Sequence, residues 1–315
     1  MTQTTYLLHG LAISSDIPLG TPSDQSITPD VTLHSRPADV PVDAAVPPGL
    51  VVAQLKAGEQ LLYTGVDDGE RYGLRIHGAC DFLVTRDLSS VTCVINDGTD
   101  VELISLFIRG ALVAFLLGLG GACVLHASVV EVDEGSVAFV GSSGTGKSTL
   151  AGLACRDGAR FVTDDLLRLD DAPHPSWVGC AAELRLRSNA ATIGDAIVGV
   201  ADHRMTIDER LAVRPPMTTQ SAGKIGAVVI PAPSRTQHTL SLQRVPAVDA
   251  TLVLIGYSRM QWTMGAMLSA QFDGVARLAT TVPVFVARVP WGPPFREGLG
   301  GQLLREALGA MGETG

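Results

Sequence analysis

The chain has 315 residues, of which 46% are hydrophobic and 17% are charged. This composition is typical of a globular protein of about two domains and excludes an intrinsically disordered chain. The formal net charge of −9 at pH 7 argues against nucleic acid as the main partner, because a phosphate backbone requires a basic surface.

The lack of a recognisable signal peptide and the use of cysteine predict a cytoplasmic protein. Residues 1–5 lack the basic segment followed by an apolar run that marks a signal peptide. The five cysteines are odd in number and widely spaced, which favours buried reduced thiols. The run from Leu103 to Leu125 is the most membrane-like stretch. Because Arg109 and several glycines interrupt it, we expect a buried helix followed by a strand, and no membrane partner.

Residues 1–100 are predicted to form a small β-rich domain. From Leu50 to Asn96 short apolar runs alternate with turns, which indicates a small antiparallel sheet, and the proline-rich stretch before it excludes long helices. No catalytic constellation is recognisable in this part. The predicted strands are Tyr6–Ile13, Leu61–Tyr63, Tyr72–Ile76, Phe82–Val84 and Val91–Ile95.

Residues 101–315 predict an α/β domain that follows a turn at Asn96–Gly98. Its first element is a largely buried helix, after which strands and helices alternate. The helices are predicted at Val101–Leu117, after Lys147, at Val248–Ile255, at Gln261–Thr280 and at Gly300–Met311. The strands are predicted at Cys123–Val132, Ser136–Val140, Arg160–Thr163, Glu183–Arg187, Leu211–Val213, Ile225–Ile230, Thr239–Val245 and Val284–Val289.

The stretch Gly141–Ser148 fits Gly-x-x-x-x-Gly-Lys-Ser/Thr without a gap, which is the phosphate-binding P-loop pattern. A buried strand precedes it and a helix follows, so backbone N–H groups and the helix N-terminus would face a phosphate. Lys147 would reach the outer phosphates of ATP, and the Ser148 hydroxyl would ligate Mg²⁺. The predicted nucleotide-binding residues are Gly141, Ser142, Ser143, Gly144, Thr145, Gly146, Lys147, Ser148 and Thr149.

Two carboxylates, Asp164 and Asp165, end the strand that follows the P-loop helix. In a βαβ unit the paired strands end at the same edge of the sheet, which would place both carboxylates beside the phosphates. One could position Mg²⁺ while the other accepts a proton from an attacking hydroxyl. The alternative is a solvated turn.

A histidine and two arginine-bearing segments are weaker candidates. His126 begins a strand before the P-loop, where an isolated histidine is more often a core residue. Glu183–Arg187 and Arg210–Pro216 could present guanidinium groups to a transferring phosphoryl group, although surface positions are the common alternative.

Taken together, the order His126, P-loop, Asp164-Asp165 resembles the catalytic domain of the HPr kinase/phosphorylase family, over roughly residues 105–290. The resemblance implies an α/β fold with a P-loop kinase core, related to ATP-dependent phosphoenolpyruvate carboxykinase, beside the small β-rich N-terminal domain. It implies that Asp164 is the general base and that His126 lies against it. It further implies a catalytic arginine at Arg214, with Arg185 and Arg187 open as phosphate contacts. From the residues themselves we expect Ser148 and Asp165 to hold the metal, with Glu183 as a further candidate ligand.

The chain departs from the family after the signature strand, where the glycine-rich segment is missing, and at Ala127, where the family has glycine. It looks more like the HPr-kinase-related proteins of peptide natural-product clusters, such as lasso-peptide tailoring kinases. We therefore expect an ATP- and Mg²⁺-dependent kinase acting on a serine or threonine of a precursor peptide or protein. A kinase of a small hydroxylated metabolite, a non-catalytic nucleotide sensor and a plain ATPase are the alternatives, and a homo-oligomer is left open.

Overall fold

The computed structural model describes residues 3–23, 27–43, 45–179, 183–187, 190, 193, 197, 203–263 and 265–309. The chain is a mixed α/β protein whose described strands form sheets of eight, nine and three strands. It divides into two compact units. The first is Met1–Ala122 with Arg259–Gln271, and the second is Cys123–Ser258 with Phe272–Gly315.

The first unit is built on the eight-stranded sheet, in the order β1-β2-β3-β8-β7-β6-β5-β4. Its strands are β1 (Thr4–Leu8), β2 (Leu11–Ser15), β3 (Val31–Pro37), β4 (Leu50–Ala57), β5 (Gln60–Asp67), β6 (Arg71–Ile76), β7 (Cys80–Thr85) and β8 (Ser90–Ile95). The antiparallel sheet predicted between Leu50 and Asn96 is present, because β4, β5, β6, β7 and β8 pair antiparallel in that order. Outside that range, β3 pairs in parallel with both β2 and β8. Sequence reasoning missed β3 because it lies in the proline-rich stretch, although its proline is only the last residue.

The predicted helix after residue 100 is present as α1 (Val101–Phe107) and α2 (Val113–Leu119), joined by a π-helical turn at Ile108–Leu112. Within the described residues, this continuous stretch is the one helix long and apolar enough to cross a membrane. Of its most apolar window, 61% is buried inside the protein, as in a core helix.

The contacts of this helix shift the boundary between the units from the one expected after residue 100. Phe115 stacks on Trp262 with ring centroids 5.6 Å apart, and its ring also lies against Gly65 of β5. These contacts are apolar and buried, so the helix and the segment carrying Trp262 belong with the first sheet.

The second unit is built on the nine-stranded sheet. Its main path is β12-β10-β11-β18-β14-β13-β9, and β20 pairs with both β18 and β19. The strands are β9 (Cys123–Leu125), β10 (Ala127–Val132), β11 (Gly135–Val140), β12 (Arg160–Thr163), β13 (Leu167–Leu169), β14 (Ser176–Val178), β18 (Ala222–Ser234), β19 (Ser241–Val245) and β20 (Val284–Pro290). A separate small sheet has the order β15-β17-β16, from β15 (Leu184–Leu186), β16 (His203–Met205) and β17 (Leu211–Val213). The helices are α3 (Lys147–Arg156), α4 (Ala247–Ile255), α5 (Gly265–Thr281), which begins in the first unit, and α6 (Leu299–Gly309).

The predicted site residues lie along the edge of this sheet at which β11 and β12 end. Strands β11 and β12 do not pair directly, as the predicted βαβ unit would require, because β10 lies between them and is antiparallel to both. Two strands antiparallel to the same neighbour run in the same direction, so the ends of β11 and β12 still share an edge. His126 lies at that edge too, since it directly precedes β10.

Apolar cores cover both faces of the nine-stranded sheet. One contains Leu150 and Leu153 of α3, Leu303 of α6 and the apolar side chains of the small sheet. The other contains residues of α4 and α5 together with the buried Trp177. Because α3 begins directly after the glycine-rich loop, its packing on the sheet fixes where that loop lies.

Candidate functional site

The glycine-rich loop lies between β11 and α3, as the sequence pattern predicts. Gly146 has a positive φ of 95° and caps α3, while Gly144 has a φ of 86°. Both are conformations that L side chains rarely adopt, which explains why glycine occupies these positions. A Cβ atom at Gly146 would lie 2.4 Å from the indole ring of Trp291. The loop therefore has no room for a side chain there.

The residues of the loop divide between those that shape it and those that line a cavity of about 100 Å³. The Ser142 carbonyl accepts hydrogen bonds from the Thr145 hydroxyl and from Lys147 Nζ, each at 2.9 Å, and a Cβ atom at Gly141 would lie 2.8 Å from Thr145 Oγ1. The loop residues that line the cavity are Ser143, Gly144, Gly146, Lys147, Ser148 and Thr149.

Asp164 is a largely buried carboxylate, 9% exposed, that is held by three donors. Its Oδ1 accepts from Ser128 Oγ at 2.5 Å and from Ser148 Oγ at 2.8 Å, and its Oδ2 accepts from the Arg185 backbone N–H at 3.2 Å. Three donors on one carboxylate fix its orientation.

Asp165 points to a different set of partners. Its Oδ1 lies 3.3 Å from His126 Nε2 and its Oδ2 lies 3.9 Å from Arg185 Nη2, with the Asp165 side chain 25% exposed. The residue has a positive φ of 72°, which is uncommon outside glycine, although aspartate tolerates it better than most. This turn allows two consecutive aspartates to send their side chains to separate partners in the same cavity.

These contacts differ from the pairing expected from the sequence. His126 was expected against Asp164, and Ser148 was expected to share a metal ion with Asp165. Instead Ser148 contacts Asp164 and His126 contacts Asp165. The two aspartates are therefore distinguished by burial and by partner, which a sequence of two identical residues does not reveal.

The small sheet brings cationic side chains to the cavity. Arg185 and Arg187 of the predicted arginine-bearing strand line it together with Arg210, and the Arg187 guanidinium lies 3.4 Å from the Cβ position of Gly144. Asp208 joins Arg185 to Arg210, with contacts of 3.3 and 3.2 Å. With Lys147, four cations face two carboxylates in the lining, so the cavity favours an anion.

Glu183 and Arg214, which sequence reasoning placed at the metal and in catalysis, are not among the described residues that line the cavity. They pair with each other at 3.5 Å, and Glu183 also pairs with Arg204 at 3.2 Å. The antiparallel register of β15 and β17 explains why these two residues lie away from the cavity. Leu186 faces Leu211, so Arg210 lies near Arg187, whereas Arg214 lies at the opposite end of the sheet beside Glu183.

Two residues of the cavity region were missed as candidates. Ser128 is fully buried in β10, two residues after His126, and its hydroxyl donates to Asp164. Trp291 follows β20, whose parallel path through β18 brings its end to the same edge as the end of β11. No local motif marks Trp291, so only the strand order could have found it.

The oxygen donors of the cavity fit a magnesium ion that is shared with a phosphate ligand. Ser148, Asp164 and Asp165 provide a hydroxyl and two carboxylates. In the part of the chain that the structure describes, no group of three or more histidine, cysteine, aspartate or glutamate side chains forms a metal site. Magnesium in phosphoryl-transfer sites is commonly held by one or two carboxylates, with phosphate and water oxygens completing its shell.

The larger cavities of about 190, 590 and 860 Å³ in the described part of the chain have no glycine-rich loop in their lining. The cavity between the ends of α4 and α5 has about 590 Å³, but Arg244 is the only charged residue in its described lining. The cavity at the glycine-rich loop is the better candidate for a reaction centre, because cations, carboxylates and the N-terminus of α3 converge there.

Comparison with known proteins adds little to this picture. No protein-family model matches the chain, and no curated protein sequence does. Among solved structures, the Hpr(Ser) kinase/phosphatase from Coxiella burnetii is 11% identical, with 60% of this chain and 95% of that chain covered and a TM-score of 0.29. So distant a likeness carries no functional conclusion.

Proposed function

We propose that the protein is a kinase that uses ATP and Mg²⁺ to phosphorylate a hydroxyl group, on a serine or threonine of a peptide or protein. The observation that carries this proposal is the convergence of a complete P-loop, two differently held aspartates and three arginines in one cavity. Phosphoryl transfer needs few covalent steps from the protein and depends chiefly on positioning and charge neutralisation, which this set of residues supplies.

The loop and its lysine would hold the nucleotide. The N–H groups around Gly144 and Gly146 and the N-terminus of α3 suit the phosphates of ATP, and Lys147 would exchange its contact with the Ser142 carbonyl for the outer phosphates. Arg187, which lies over Gly144, would neutralise charge on the transferring group.

Ser148, with Asp164 beside it, would hold the magnesium ion, which would supply charge neutralisation for the phosphate oxygens. Asp164 suits this role better than that of a base, because three donors occupy its oxygens and little of it is exposed. From the sequence, Asp164 was expected to be the general base and Asp165 a metal ligand, so this assignment exchanges the two roles.

Asp165 would be the general base. It is the more exposed aspartate and it lines the cavity, and its carboxylate oxygens lie 3.3 Å from His126 and 3.9 Å from Arg185, which orient it. The acceptor oxygen attacks the γ-phosphorus, its proton passes to the Asp165 carboxylate, and the bond to the β–γ bridging oxygen breaks to release ADP.

The test is to follow the γ-phosphate of ATP in mixtures of the purified full chain with acceptors. Serine-containing peptides encoded beside the gene are compared with their Ser→Ala versions, and with free hydroxylated metabolites. We expect phosphate on a peptide serine, only with Mg²⁺. Transfer to a small metabolite would correct the acceptor class. Hydrolysis of ATP that no acceptor changes would identify an ATPase instead of a kinase. Binding of ATP without turnover would identify a nucleotide sensor.

A further inference from the structure

The hydroxyl of Ser128 occupies a position where an apolar side chain would be expected. Ser128 is on β10, faces Phe139 of β11, and shares its side of the strand with Val130 of the core that packs on α3. It is fully buried, and its hydroxyl donates to Asp164 at 2.5 Å. A buried hydroxyl costs stability unless it is hydrogen-bonded, so this pairing gives Ser128 a specific partner rather than a packing role.

The contact connects Ser128 to the loop through one carboxylate oxygen. Ser128 and Ser148 both donate to Asp164 Oδ1, since an ionised carboxylate can only accept. The Ser148 hydroxyl has one hydrogen, and giving it to Asp164 leaves its oxygen lone pairs for the cavity that Ser148 lines. The direction in which Ser148 offers those lone pairs therefore depends on where Asp164 is held.

We propose that Ser128 is a positioning residue for the magnesium site, holding Asp164 so that the Ser148 oxygen is directed at the ion. The inference rests on the proposed function. Ser128 itself contacts neither nucleotide nor metal, because the described lining of the cavity does not include it. Residues that orient metal ligands in this way typically change metal affinity about 10- to 100-fold when they are replaced.

The experiment measures the Mg²⁺ concentration that gives half of the maximal thermal stabilisation by ATP, and the affinity for ATP in EDTA. We expect Ser128→Ala to raise that Mg²⁺ concentration by about tenfold while leaving the affinity in EDTA within about twofold of wild type. Ser136→Ala is the matched control. Ser136 is a buried serine of the neighbouring strand whose oxygen accepts from Trp177 Nε1 at 2.9 Å, so its loss should leave the Mg²⁺ requirement unchanged.

A second pair of variants keeps the test independent of folding. Ser128→Thr retains the hydroxyl and Ser128→Val removes it at nearly equal volume, and both β-branched residues suit a strand. We expect the wild-type Mg²⁺ requirement in the first and the raised one in the second. An equal Mg²⁺ requirement in Ser128→Thr and Ser128→Val would contradict the role of Ser128 without contradicting the proposed function. Absence of any Mg²⁺-dependent stabilisation in the wild-type protein would instead overturn the proposed function.

Discussion

Replacing Asp165 with asparagine is expected to reduce phosphoryl transfer at least about a hundredfold, since a general base contributes roughly 10² to 10⁴ in rate. The amide keeps the size of the side chain and its ability to hydrogen-bond His126, but it accepts no proton. Asparagine also tolerates the positive φ of 72° at this position, so the turn should be preserved. The affinity for Mg·ATP, obtained from thermal melts, should stay within a few-fold of the wild-type value. Single-turnover transfer and thermal melts measure the two effects separately.

Asp164→Asn is the matched variant, because it makes the same chemical change in the neighbouring residue. Its carboxylate lies beside Ser148, so we expect a higher Mg²⁺ requirement for both binding and transfer, partly recovered at high Mg²⁺ concentration. If Asp165→Asn transferred phosphate normally while Asp164→Asn failed at every Mg²⁺ concentration, Asp164 would be the base, as the family resemblance implied.

Gly146→Ala should abolish detectable Mg·ATP binding. A methyl group at this position would lie 2.4 Å from the Trp291 ring, and the backbone has a φ of 95°, so either the loop or the indole must move. Displacing the loop would misdirect the N–H groups and Lys147, which follows immediately in the sequence. Calorimetric titration with Mg·ATP measures the loss.

Gly158→Ala separates the steric clash from the backbone strain. Gly158 also has a positive φ, of 104°, but nothing lies within 4 Å of its Cβ position. This variant should lose about 1–2 kcal/mol of stability while binding Mg·ATP like wild type. Adding Trp291→Ala to Gly146→Ala should recover part of the binding, since the two changes share one contact. Normal nucleotide binding by Gly146→Ala would mean that the loop does not hold the phosphates.

The sequence predicts the glycine-rich loop and its flanking elements because the pattern is local: a buried strand, the loop glycines and a helix follow one another directly. It also brings Asp164 and Asp165 to the correct edge. The reason differs from the one assumed, since the shared edge follows from the intervening antiparallel strand β10 rather than from a direct βαβ pairing.

What the sequence could not provide are features that depend on long-range register. The choice of Arg210 over Arg214 follows from the pairing of β15 with β17, and Trp291 reaches the loop through the order of β11, β18 and β20. The separate partners of the two aspartates follow from a single left-handed backbone conformation at Asp165. None of these leaves a periodic or compositional signal.

Calorimetric titration of the full chain with ATP measures whether this cavity binds the phosphates of ATP together with Mg²⁺. The matched variant is Lys147→Met, which keeps an unbranched, largely buried side chain but removes the ammonium group. We expect one ATP bound per chain in the presence of Mg²⁺, with binding greatly weakened by EDTA and lost in Lys147→Met. Binding of equal strength in wild type and Lys147→Met, or no binding of ATP by the wild-type protein, would contradict this expectation.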